Sequence, residues 1–316
     1  MPNNRSNSDS TLDDKGLSSR MQADWDRRIK HDYRFWMSES YADDGAMFKS
    51  GYRDLEILTA DIVSPSPLTV MELGCGVGRI LRAASEKFSH VHGLDVSKEG
   101  IAKARELLSD LTNVTLHLGD GLCIPLPNAS LDMVYSFASL VCMPVDVIAG
   151  YLLEAHRVLK VNGTLRIQLY LGKEQPSAKS DTLSMRVFEE QNFIRAVQCA
   201  GFDVDVIAEL QLPLQVSFEE SGIKAVTAIL HSTTKSPMAA TDIARVLLPR
   251  GEGRAAGDLT DADLEYWMLL NYSFELLTKG EKEKGSNSYD EALKLEAGVT
   301  IDARELKEKI SNLLPA

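Results

Sequence analysis

The sequence predicts an α/β protein: a doubly wound, mostly parallel sheet with a helical cap before it and a helical extension after it. Three observations predict this. From Leu68 to Tyr170 short apolar runs alternate with helical stretches, the pattern of parallel strands joined by right-handed crossovers with helices on both faces. Between the first apolar run and the first helical stretch lies the turn Gly74-Cys75-Gly76-Val77-Gly78, and sheets of this kind receive ligands beyond the carboxyl ends of their strands. Finally, 316 residues with 44% hydrophobic and 25% charged side chains are ordinary globular composition, enough for two domains or one enlarged domain.

Taken in order, residues 1–20 are polar and read as a disordered tail. Residues 21–63 read as a helical cap, because Trp25, Ile29, Tyr33, Trp36, Leu55, Leu58 and Ile62 recur at steps of three and four,. Ser64-Pro65-Ser66-Pro67 then breaks helix and opens the main domain, residues 64–233,. Strands are expected at Leu68–Leu73, Val91–Val96, Val114–Leu118, Leu131–Phe137 and Thr164–Tyr170. Helices are expected at Arg79–Phe88, Lys98–Leu108, Val145–Leu159 and Gln191–Ala200. Asp203–Leu210 and Ile223–Ser232 read as an antiparallel pair closing one edge,. Beyond Thr234 the composition becomes charged and helix-favouring, and residues 234–316 read as a separate helical extension.

The charge balance narrows the function. Forty-six acidic against 34 basic side chains give a net charge of -12, so a nucleic-acid backbone meets a repulsive average field and nucleic-acid partners rank low. Cys75, Cys123, Cys142 and Cys199 lie in apolar stretches without a Cys-x-x-Cys pair; they read as reduced, buried thiols of a cytoplasmic protein. No run of about 18 apolar residues and no signal core is visible, so a membrane partner is not expected. No spacing of metal ligands stands out from the charged surface, and no metal is expected.

The glycine turn carries the chemistry. Gly74, Gly76 and Gly78 permit tight turning and bring backbone N–H groups close to a ligand at a helix N-terminus. A dinucleotide fingerprint requires a third glycine at the sixth position, where this chain has Arg79,. Asp95 ends the next apolar run, where a carboxylate accepts two hydrogen bonds from a vicinal diol; the competing use is a helix cap, a task Ser97 can take instead. Glu72, near the end of a buried strand, requires a cationic partner, either a ligand ammonium or a base such as Arg79. Asp120, between Gly119 and Gly121, serves either a ligand or the turn. Arg79 either holds a ligand carboxylate or is a solvated first-turn residue.

Glu72-Leu73-Gly74-Cys75-Gly76-Val77-Gly78 resembles motif I of the class I S-adenosylmethionine-dependent methyltransferases. Four further segments resemble that family in order: Val91–Ser97, Leu118–Gly121, Leu131–Phe137 and Glu154–Leu169, so that the resemblance covers residues 68–233. It implies a Rossmann-like, seven-stranded sheet and S-adenosyl-L-methionine as cofactor. It further implies that Glu72, Gly74, Cys75, Gly76, Gly78 and Arg79 surround the methionyl part, that Asp95 and Val96 meet the ribose and adenine, that Asp120 and Gly121 meet the adenine amino group, and that Ser136 and Phe137 line the same cleft.

Methyl transfer from a sulfonium is an in-line displacement in which the protein aligns the partners and excludes water. The acceptor expected is O or N of a small-molecule or glycan-like compound; a protein acceptor, or a binding protein without turnover, are the other readings. Where the acceptor carries a proton, a base must take it. His31, on the cap that often covers the substrate pocket in this family, is the candidate, with a solvated surface position as its alternative. Trp25, Tyr33, Trp36 and Tyr41 are candidates for an aromatic lid. The carboxyl-terminal helices are candidates for self-association.

Overall fold

The computed structural model describes residues 14–38, 42–173, 182, 185–210, 222–248, 260–299 and 303–314. The chain enters the sheet at β1 (Thr69–Leu73), just past the proline-rich linker. Val70 and Met71 are fully buried there, as expected of a strand covered on both faces. β2 (His90–Asp95) and β4 (Leu131–Ser136) flank β1 in parallel. β3 (Val114–Leu118) lies outside β2, and β5 (Leu159–Leu171) lies outside β4. β8 (Lys224–Ser232) runs antiparallel to β5, and β7 (Phe202–Glu209) runs antiparallel to β8. The resulting order, β3-β2-β1-β4-β5-β8-β7, reverses direction between β1 and β4; that gap is the switch point at which a ligand crevice opens.

An additional two-residue strand, β6 (Val187–Phe188), pairs with β5 and brings the described sheet to eight strands. A pair of residues is too short to leave a periodicity.

One face of the sheet carries α2 (Asp44–Thr59), α3 (Arg79–Lys87) and α4 (Lys98–Leu107), whose Leu55, Leu58, Ile80, Leu81 and Ile101 pack on Val70, Val91 and Met133. The other face carries α5 (Val145–Val158) and α6 (Glu190–Cys199). α7 (Ala240–Leu247) joins that second core through Ile243, Ala244 and Leu247. The main domain therefore extends past the boundary expected at residue 233, because an amphipathic helix covers α5 and α6,.

α1 (Asp14–Met37) begins inside the stretch that reads as a tail. Residues 14–20 are helical because Leu17, and Met21 one turn later, are buried against the sheet core; residues 1–13 lie outside the described residues. At Asp32 the backbone leaves the helix (φ −162, ψ 101), so α1 is two helical pieces. Asp32 Oδ1 caps the second piece, accepting from the N–H groups of Arg34 (2.9 Å) and Phe35 (3.2 Å),.

The extension holds α8 (Asp261–Thr278), α9 (Lys282–Leu295) and α10 (Arg304–Ser311). Tyr266, Leu270, Leu277, Tyr289, Ala292 and Ile310 form its separate core. A capping box between Thr260 and Asp263 starts α8, which packs against α1,. No helix among the described residues is long and apolar enough to cross a membrane.

Candidate active site

β1 ends in the glycine turn, where Gly74 and Gly76 take left-handed conformations (φ +73 and +52) that side chains resist,. A Cβ at Gly74 would collide with Ser139 and one at Gly76 with the Met37 side chain. Gly74 thus presses backbone against the space above the strand tips, while Gly76 lies beneath Met37 and does not border it. That space is a cavity of about 120 Å³ bordered by Glu72, Gly74, Cys75, Arg79, Asp95, Val96 and Phe137 of the residues singled out from the sequence. Leu94, Ala138, Ser139, Met143 and Tyr151 complete its floor and sides, and Met21, Trp25, Trp36 and Met37 of α1 roof it.

Glu72 is buried. Its only hydrogen bond among the described residues is a long one, Tyr135 Oη donating to Oε2 at 3.5 Å. Burial pushes its carboxyl well above the ordinary value, against the pull of the Arg79 charge,. Arg79 makes no direct pair with it and turns to α2 instead, donating to Asp54 Oδ2 at 2.5 Å and Ser50 Oγ at 3.1 Å. A nearly bare buried carboxyl facing a cavity suits a small cation supplied from outside.

Asp95 Oδ2 accepts from Gly76 N–H at 2.7 Å and Oδ1 from Ser97 N–H at 2.8 Å. Burial raises its pKa, and these two N–H groups act in the opposite direction,. Ser97 takes the capping task, its Oγ accepting from Gly100 N–H at 2.9 Å, so Asp95 is free of it. Each Asp95 oxygen retains acceptor capacity toward the cavity.

The other expected residues divide. Ser136 is fully buried and donates from Oγ to the Leu73 carbonyl at 3.0 Å, tying β4 to the turn. Gly78 caps α3 behind the cavity. Asp120 is exposed and makes a turn: its Oδ1 accepts from Leu122 and Cys123 N–H at 2.8 and 2.9 Å, and neither it nor Gly121 borders the cavity. Gly121 packs under Ser18 and Met21. His31 is also outside the cavity. Trp36 Nε1 donates to its Nδ1 at 3.4 Å and its Nε2 lies 3.0 Å from Glu265 Oε2 of α8, so it joins cap to extension. Of the aromatic lid, Trp25 and Trp36 border the cavity, Tyr33 donates to Asp44 at 2.6 Å, and Tyr41 lies outside the described residues. Among the thiols, Cys75 is buried, Cys142 and Cys199 are half-buried and Cys123 is exposed, a correction to the expectation that all four are buried.

Sequence reasoning missed the contacts of α1 with the strand tips. Ser18 donates to the Asp120 carbonyl, Gln22 Nε2 donates to the Val96 carbonyl at 2.9 Å, Asp26 Oδ1 accepts from Ser97 Oγ at 2.7 Å and Glu99 N–H at 3.1 Å, and Lys30 pairs with Glu99 at 3.1 Å. Their spacing of four residues puts all four on one helical stripe, and that polar stripe was the available signal.

Known proteins agree with this geometry. A profile of the family described as "Methyltransferase domain" matches residues 70–163. The phosphoethanolamine N-methyltransferase of Plasmodium falciparum is 24% identical over 144 residues, 45% of this chain and 52% of that protein. The trans-aconitate 2-methyltransferase of an Acidovorax species is 30% identical over 122 residues, 38% of this chain and 45% of that protein. The chain thus spans about half the length of these curated relatives. Among solved structures, phosphoethanolamine N-methyltransferase 1 of Haemonchus contortus superposes with a TM-score of 0.56 at 14% identity, covering 75% of this chain and 54% of that one, which shows a shared fold. With the sheet order, the glycine turn and the strand-tip carboxylates, residues 70–163 are a class I S-adenosyl-L-methionine-dependent methyltransferase domain, whose cofactor is S-adenosyl-L-methionine.

Proposed function

We propose that the protein transfers a methyl group from S-adenosyl-L-methionine to O or N of a small-molecule or glycan-like acceptor. The observation that carries this reading is the convergence of Glu72, the Gly74-Cys75 backbone and Asp95 on one roofed cavity at the switch point. A buried carboxyl, a backbone cradle and a second carboxylate on the neighbouring strand match the ammonium, the chain and the vicinal diol of one ligand.

When bound, the cofactor supplies an electrophilic methyl on a sulfonium. Glu72 offers its carboxyl to a cation, which restores the charged form that burial disfavours,. Asp95 orients the turn through Gly76 and accepts from hydroxyls. Met21 and Trp25, on the first piece of α1, exclude water from the cavity, and alignment in a dry site is the main source of rate for a displacement of this kind. His31 is not proposed as the base, because its two nitrogens engage Trp36 and Glu265. The roof that α1 lays over the strand tips favours a compact acceptor over a folded protein. The names of the two relatives above, which refer to phosphoethanolamine and trans-aconitate, lean the same way. The extension, and self-association through it, are proposed as accessory to this reaction.

Calorimetric titration with S-adenosylmethionine, S-adenosylhomocysteine and NAD tests the donor. Binding of the first two supports the reading, and binding of NAD alone overturns it. Labelled donor incubated with fractionated lysate then tests the acceptor: label in small molecules is expected, and label only in protein or RNA contradicts the acceptor class.

A further inference from the structure

The roof of the cavity is built by the second piece of α1, and one side chain of that piece occupies the turn itself. Met37 lies so close to Gly76 that its sulfur fills the place of a Gly76 Cβ. The same side chain packs in a small apolar cluster with Ile29, Met47 and Val77, the last being the residue after Gly76. A cavity of about 120 Å³ remains beside it, whereas sites for cofactor-sized ligands span about 300–1,000 Å³. The donor set fits the cofactor chemically, and the space available with Met37 in place is too small.

We propose that Met37 is an intramolecular plug, its thioether lying on the glycine turn in competition with the methionyl end of the donor, and that residues 33–37 pivot at Asp32 to admit the donor. This rests on the proposed donor reading and concerns the regulation of that same site. A thioether on a flexible, unbranched stem is a soft filler that leaves a pocket without breaking hydrogen bonds. The hinge is already present, because Asp32 is non-helical and its carboxylate caps the second piece independently of the first. One long bond, Trp36 Nε1 to His31 Nδ1 at 3.4 Å, crosses the hinge; otherwise the two pieces are held to different partners. The first is pinned to the end of β2 and the start of α4 through Gln22, Asp26 and Lys30. The second is tied to α2, through Tyr33 and Arg34 on Asp44 (2.6 and 2.7 Å) and through Ser38 Oγ on Ser50 Oγ at 2.8 Å. Ser50 also receives Arg79 at 3.1 Å, so the latch of the plug reaches the first residue after the turn. A donor bound to the open form pays for opening, and its apparent dissociation constant is raised by the inverse of the open fraction.

The test is the affinity of the full chain for S-adenosylhomocysteine, by calorimetry, combined with amide hydrogen exchange over residues 32–38. Met37→Ala is expected to bind about tenfold more tightly than the wild type, equivalent to about 1.4 kcal/mol removed from the closed form. Met37→Leu, which keeps the bulk, is expected to stay within about threefold of the wild type. Ser38→Ala, which releases the latch without touching the core, is expected to tighten binding about threefold and covers the case in which Met37→Ala fails to fold. Saturating the wild type with S-adenosylhomocysteine is expected to speed exchange of the Arg34 and Phe35 amides, which donate to Asp32 at the hinge (2.9 and 3.2 Å) in the closed form,. Equal or weaker binding by both Met37→Ala and Ser38→Ala, or slowed exchange over 32–38, overturns the plug. Binding of S-adenosylhomocysteine by none of the proteins overturns the donor reading itself.

Discussion

Asp95 is the residue on which structure and ligand binding are most closely joined, and two substitutions separate the parts. Asp95→Ala removes the acceptor of both Gly76 N–H and Ser97 N–H, at 2.7 and 2.8 Å. A buried N–H left without a partner costs about 1–3 kcal/mol, so at least about 2 kcal/mol of stability is expected to go. In a chain of this size that is a fall in melting temperature of about 3 °C or more. Asp95→Asn keeps one carbonyl oxygen for the backbone and loses the charge, and its melting temperature should fall by less. Its effect on the donor should nevertheless be large, because a hydrogen bond to a charged group contributes about 1.5–3 kcal/mol, which is about a 10- to 150-fold change in dissociation constant. The assay pairs a thermal melt of the free protein with calorimetric titration of S-adenosylhomocysteine. Asp95→Asn that melts near the wild type and binds S-adenosylhomocysteine with unchanged affinity refutes the reasoning, leaving Asp95 as support for the turn alone.

Glu72→Gln should act in the opposite sense on the free protein. Burial raises the Glu72 carboxyl, so protonation stabilises the fold and that stabilisation is lost as pH rises through the folded-state value. The glutamine variant, neutral at every pH, should therefore melt higher than the wild type above pH 7, lose that advantage near pH 4 and bind the donor more weakly, a trade measurable by melts and titrations across pH. His92, whose Nδ1 lies 3.0 Å from His117 Nε2 on the neighbouring strand, is held down to about 4 by burial and by the His90 and His117 charges. The unfolded chain then binds more protons between about pH 6.5 and 4, so stability should fall as pH drops through that window; because the ring is half exposed the loss is set at about 1–2 kcal/mol after screening. Denaturant unfolding of His92→Gln should show a flatter profile there, and an unchanged slope would contradict the assignment. His31→Ala, which frees Glu265, should leave kcat within a fewfold and cost no more than about 1 kcal/mol; a loss of activity of 100-fold or more would return His31 to the reaction.

Much of the sheet was legible because its strands are buried on both faces and bounded by glycine, proline or a cap. Val70-Met71-Glu72-Leu73 and Val91–Leu94 have no other reading beside a glycine turn, and the observed register sets Glu72 opposite Gly93 and Tyr135. The capping by Ser97 that leaves Asp95 free was legible for the same local reason. Elements decided by tertiary burial were not. Leu17 makes helix of a polar segment only because the sheet core lies beneath it, and α7 joins the main domain only because α5 and α6 present an apolar groove. Asp120 between two glycines has one local pattern and two uses, and the backbone donors of Leu122 and Cys123 show that the turn is one of them. His31 had a suitable chemistry and an unsuitable neighbour, Glu265, more than 200 residues away in sequence. Met37 carried no motif at all; its meaning comes from the collision with Gly76.

The most direct test is a crystal structure of the protein grown with S-adenosylhomocysteine. The account predicts one nucleoside lying across the tips of β1, β2 and β4, its amino-acid end beside Glu72 and its ribose on Asp95, with the Met37 side chain withdrawn from Gly76. Ligand density in another hollow, or full occupancy of this one by protein side chains at saturating ligand, contradicts it.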